Sequence, residues 1–180
     1  MSGLPQLERP FVIFISSAQQ EFEDFRQELK QTIDTERWSN LTVMRARLIE
    51  NQRGPVIQAE IRREIDAASV YIGIFGRQLR DWPVAEFRYA KVRGLPQLIY
   101  KYERRGRPGR PQKHRRRGRK SALDEFLESE AIADGIRVNG PYRKLQELPE
   151  IILADIAILV TEMVRENADI RKRLYTGIPV

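Results

Sequence analysis

The chain has 180 residues, enough for one domain with appended helices, and its hydrophobic content of 41% can fill a single core. It has no cysteine and one histidine, His114, which excludes disulfides, thiolate metal sites and a cysteine nucleophile, and argues against a serine–histidine pair or a histidine-rich metal centre. The formal charge is +7, but ten of the basic residues lie between Arg104 and Lys120; without that segment the balance is 22 basic to 25 acidic residues. The start, MSGLPQLERP, lacks the apolar stretch of a secretory leader, and no window approaches the ~18 apolar residues of a membrane span, so a cytoplasmic protein with no membrane partner is expected.

Residues 1–9 read as a flexible lead-in. FVIFI, Phe11 to Ile15, is a continuous apolar run of the kind buried on both faces of a parallel sheet. Ser16 and Ser17 end it, and either could cap the next helix. From Gln20 to Trp38, Phe22, Phe25, Leu29 and Ile33 recur at helical spacing. LTVMRARLI, Leu41 to Ile49, alternates like a strand with an exposed face, which suits a sheet edge. Pro55 opens a second helix with the stripe Ile57, Ile61, Ile65 and Ala68. VYIGIF, Val70 to Phe75, is the third strand and stops at Gly76. Pro83 is placed to open a third helix, because the first turn needs no backbone donor, and this puts Glu86 in that first turn. Gly94 is its C-cap, and QLIYKY, Gln97 to Tyr102, is the fourth strand.

The Gly- and Pro-rich basic segment 104–120 is expected to be a disordered loop. Ser121 caps an acidic helix that ends at Gly135. A short fifth strand follows in Ile136 to Tyr142, then a long helix from Pro149 to Lys172, and residues 173–180 form a tail. Strands alternating with helices predict an α/β domain over 10–172, a five-stranded parallel sheet in the order 2-1-3-4-5. In such a sheet ligands bind beyond the carboxyl ends of the strands where the order reverses, here outside Ser16-Ser17 and Phe75-Gly76.

FVIFISS with its acidic helix, EIDAASVYIGIFG, EFRYAKVRGLPQLIY and the YRK at Tyr142 to Lys144 together resemble a TIR-like family of unknown function that often sits N-terminal to STAND or NACHT-type NTPases. The likeness covers residues 10–160. It implies a flavodoxin-like, three-layer fold shared with TIR domains and nucleoside 2-deoxyribosyltransferases. It also implies an effector or signalling role in defence or stress, self-association, and an NTPase or sensor as partner or fused domain. In enzymatic TIR domains a tryptophan lies four residues before a catalytic glutamate, and Trp82 and Glu86 keep that spacing. EFRYA also resembles the deoxyribosyltransferase helix whose glutamate is the nucleophile. Pro83 and Arg80 stand where TIR enzymes usually carry a cysteine and a serine.

The resemblance thus implies an enzyme that cleaves the N-glycosidic bond of NAD, as substrate, or of a related nucleoside. Glu86 is then the catalytic carboxylate; Trp82, Ser16, Ser17, Phe75, Gly76 and Arg45 are the substrate-binding candidates. No metal or cofactor is required. Other readings stand beside it. Glu86 as a first-turn acid would complement the helix dipole for about 0.3–1 kcal/mol, and the domain would be a non-enzymatic interaction or self-assembly module. Trp82 would then pack the loop onto the core, the serines would cap, and Gly73 would serve tight packing. The basic residues Arg104, Arg105, Arg107, Arg110, Lys113, Arg115, Arg116, Arg117, Arg119 and Lys120 could hold nucleic acid or another polyanion through its phosphates. A Gly-rich phosphate loop with a lysine is missing, so the domain is not itself the NTPase.

Overall fold

The structure is a computed structural model that describes residues 11–35, 44–47, 55–103 and 120–176, without the side chains of 19–20, 44–45, 55–57 and 168–176. Five strands, β1 (Phe11–Ser17), β2 (Met44–Arg47), β3 (Val70–Phe75), β4 (Gln97–Tyr102) and β5 (Val138–Tyr142), form one sheet in the order β2-β1-β3-β4-β5. All four pairings are parallel. This is the expected α/β architecture, with β2 at an edge and the order of flavodoxin-like sheets. β3, central and buried throughout, is the β-branched and aromatic run that the sequence marks.

The chain divides into two compact units, Met1–Leu145 and Gln146–Val180. In the first, α1 (Gln19–Thr35), α2 (Pro55–Asp66), α3 (Asp81–Val92) and α4 (Ala122–Phe126) accompany the sheet. Alternation along the strands sorts their partners. Phe14, Tyr71, Phe75 and Ile99 point to one face, where they pack with Ile61 and Ile65 of α2, Val84, Phe87 and Ala90 of α3, and Leu123 and Phe126 of α4. Tyr102 points to the other face and meets Phe22 of α1 edge-on at 5.6 Å. Phe22 departs from helical geometry, so α1 is kinked in its first turn. The second unit is built on α5 (Leu148–Thr176), entered through a 3-10 turn at Leu145–Glu147.

α3 is pinned by Phe87, whose ring lies 6.4 Å from Tyr71, 6.3 Å from Phe75 and 5.3 Å from Phe126. Its C-terminus closes as expected at Gly94, which takes the left-handed conformation at φ 69° while Leu95 N–H donates back to the Ala90 carbonyl. Ser121 caps α4 in a reciprocal box with Asp124. The winding continues through a π-helical turn, Leu127–Ala131, and a 3-10 turn, Ile132–Asp134, to Gly135.

Two local expectations are corrected. Ser16 and Ser17 remain in β1, paired with Gly73 and Ile74, and neither caps α1: the Ser16 hydroxyl is turned to Glu86 and the Ser17 hydroxyl has no partner. α3 begins at Asp81, two residues before Pro83, because any first-turn position tolerates the missing donor. Asp81 is therefore the first-turn acid and Glu86 sits in the second turn. The helix dipole acts within the first turn, so it does not account for Glu86.

Candidate functional site

α3 presents one face at helical spacing: Trp82, Ala85, Glu86 and Tyr89. α2 presents Gln58, Ile61 and Arg62 opposite it. Together with Asp81 these residues line a cleft of about 250 Å³. Trp82 is 47% exposed, so its ring is available to a ligand instead of serving the core. The Tyr89 hydroxyl donates to Asp66 at 3.0 Å, and the Arg62 guanidinium lies 5.4 Å from the Tyr89 ring.

Glu86 is half-buried, with one side on this cleft and its carboxyl end directed inward, where it accepts a hydrogen bond from Ser16. Burial pushes the Glu86 carboxyl up to about 7; the Ser16 hydrogen bond and the charge of Arg26 pull it down, and do not cancel the desolvation. Beneath it lies Tyr71, fully buried, whose hydroxyl donates to the Pro83 carbonyl at 3.3 Å. Burial raises the Tyr71 phenol well above its usual range and the Glu86 charge adds to this, while Ser16 opposes it. The phenol stays protonated, and the proton that moves near neutrality is that of Glu86. Such a group can serve as acid, base or nucleophile at physiological pH.

Of the sequence candidates, the structure brings Glu86, Ser16 and Trp82 together. Ser17 points to the opposite sheet face. Phe75 is 3% exposed and does not line this cleft; its ring packs among Phe87 and Phe126. Gly76 sits against the Glu21 carboxylate, which would collide with any side chain there. Arg45 pairs with Val12 across the sheet, but its side chain lies outside the described residues, as do all the basic-loop residues from Arg104 to Arg119. Lys120 is described and ion-pairs with Glu128.

Gly73 is explained by packing: a β-carbon there would meet Tyr71 Cε1 at 2.9 Å, and Ile99 Cδ1 and Phe75 Cε2 at 3.0 Å. Sequence reasoning missed Tyr71 and Arg26, and also the α2 wall of the cleft. Helical spacing from Trp82 would have found Tyr89; nothing local marks Gln58 or Arg62. Among the described residues no group of three or more His, Asp or Glu is placed to hold a metal, and no helix is long and apolar enough to cross a membrane.

No curated protein matches the chain. A family profile matches residues 12–157, which take in all five strands but for Phe11 and include the Ser16–Glu86 pair. The chain belongs to the family described as a domain of unknown function, DUF4062.

Proposed function

We propose that this domain breaks the N-glycosidic bond of a nucleoside or nucleotide, NAD among them, with Glu86 as the catalytic carboxylate. The observation that carries this reading is the Glu86 carboxyl itself: desolvated, held by Ser16, titrating at about 7, on a residue that lines an aromatic-walled cleft. When the C1′–N bond breaks, the base leaves with the bonding pair, taking a proton from solvent where the nucleoside is neutral, and positive charge builds on the ribose. A fixed carboxylate in a water-poor site stabilises that charge or attacks C1′. With NAD, nicotinamide leaves as a neutral base. Water then adds to C1′ and gives up one proton, leaving ADP-ribose. Trp82 offers a flat face on which the base can stack.

At about 250 Å³ the cleft is smaller than the ~300–1,000 Å³ of drug-sized pockets, which suits one nucleoside, or the nucleoside half of a dinucleotide whose remainder lies outside it. The resemblance to TIR-like domains, through the Trp82–Glu86 spacing, supports the same chemistry and an effector or signalling role in defence or stress. The test is to incubate the full chain with NAD and with free nucleosides and to follow release of the base. Base release that Glu86→Gln removes is expected. Release at the wild-type rate in that variant overturns the assignment.

The exposure of Trp82 favours a second reading, in which α3 is a contact surface for a partner or a second copy. Under it, Trp82→Ala alters sedimentation and no base is released by any variant.

A further inference from the structure

A second cleft, also about 250 Å³, is lined by Ala18, Glu21, Arg77, Gln78 and Arg80. Its residues follow β1 and β3, the neighbours between which the strand order reverses. Arg80 directly precedes Asp81, which lines the Glu86 cleft, so the two clefts flank the first turn of α3.

Several cations of the molecule are neutralised in pairs, as in Arg47–Glu64, Arg93–Asp66 and Lys101–Asp124. Arg77 and Arg80 are three residues apart, both exposed, and neither guanidinium has a partner among the described residues. The one acid in the cleft, Glu21, is otherwise occupied: its Oε1 accepts the Arg77 backbone N–H at 3.2 Å and its carboxylate lies over Gly76. Two guanidinium groups against one committed carboxylate leave the cleft net positive. Guanidinium is the side chain whose planar donors match phosphate oxygens in pairs.

We propose that the Arg77–Arg80 cleft binds the phosphate of the nucleotide whose glycosidic bond is cleaved at Glu86, an assignment of substrate class that rests on the function proposed above. Glu86 follows Arg80 by six positions, roughly 9 Å along a helix. A ribose can bridge that interval between its phosphate and its base, with the arginine side chains covering the remainder. The preferred substrate is then a 5′-phosphorylated nucleotide or dinucleotide, and a free nucleoside is the poor one. Gly76 belongs to this arrangement, because only a residue without a side chain leaves the Glu21 carboxylate room to hold the loop.

The experiment is calorimetric titration of the full chain with pyrophosphate, AMP and adenosine at low salt, in wild type, in Arg77→Gln/Arg80→Gln and in Glu21→Gln. Wild type is expected to bind pyrophosphate and to prefer AMP over adenosine at least tenfold. The double variant loses that preference and leaves adenosine binding unchanged. Glu21→Gln, which removes the opposing charge and keeps an acceptor for the Arg77 N–H, binds pyrophosphate several-fold more tightly. Absence of pyrophosphate binding by wild type overturns the proposal, as does binding that survives the double substitution, which would place the anion on another basic surface. The two readings fail separately. Arginine-dependent pyrophosphate binding without base release keeps the phosphate site and removes the chemistry; base release equal for nucleoside and nucleotide keeps the chemistry and removes the phosphate site.

Discussion

Replacing Glu86 by Gln makes the site legible through the stability of the fold. The carboxyl rises from 4.5 to about 7 on folding, chiefly because burial strips water from the charged form. A raised carboxyl means that the folded state holds the proton more tightly than the unfolded chain does. The stability tied to this proton is therefore fully present below pH 4.5 and is lost as pH climbs through about 7. At ~1.4 kcal/mol per pH unit the shift corresponds to about 3 kcal/mol. Because Glu86 keeps one side on the cleft, solvent reduces this to about 2 kcal/mol. Gln has the shape of the protonated acid and can still accept from Ser16. Glu86→Gln is thus expected to be about 2 kcal/mol more stable than wild type at pH 8 and nearly equal to it at pH 4.5. Urea unfolding at both pH values measures the difference. Asp124, held down to about 2 by Lys101 and then by Ser121, stays ionised across this range and does not contribute. A Gln variant no more stable than wild type at pH 8 refutes the claim that the carboxylate is desolvated.

Other predictions follow from the same contacts. Ser16→Ala removes a hydrogen bond that favours the ionised carboxylate, so the midpoint of the pH–rate profile for base release should move above 7; an unmoved midpoint would separate Ser16 from Glu86. Gly73→Ala forces a methyl group into contacts of 2.9 to 3.0 Å with Tyr71, Ile99 and Phe75 and should cost about 1–3 kcal/mol in thermal or urea unfolding; an unchanged Tm would mean that the rings yield freely. Asp124→Asn should destabilise by about 1–2 kcal/mol above pH 4, because the depressed carboxyl contributes stability above 3.8 that is lost as pH falls through about 2. Unfolding curves at pH 7 and pH 2 check it, and an equal difference at both pH values contradicts it.

The strands could be read from the sequence because buried parallel strands are continuous β-branched and aromatic runs; FVIFI and VYIGIF have no competing helical period. The edge position of β2 could be read from the apolar–polar alternation of LTVMRARLI. The start of α3 could not, since Pro83 marks a first turn without saying which residue of it, and the two-residue slip moved Glu86 out of reach of the helix dipole. β1 ran two residues past its apolar run because Ser16 and Ser17 still find ladder partners in β3. That extension is what aims the Ser16 hydroxyl at Glu86. Phe75 shares a sheet face with Ser16, and the pattern alone could not show that its ring turns into the Phe87 and Phe126 cluster. The α2 wall of the cleft depends on how two helices pack, a long-range outcome with no signature near Gln58 or Arg62.

The central claim is that Glu86 breaks a glycosidic bond, and the most direct measurement is the release of free nicotinamide from NAD across pH 5 to 9. The account predicts release that rises with pH through about 7 as the carboxyl ionises and that disappears in Glu86→Gln while the fold remains intact. No release at any pH by concentrated wild type, or release that persists unchanged in Glu86→Gln, would contradict it.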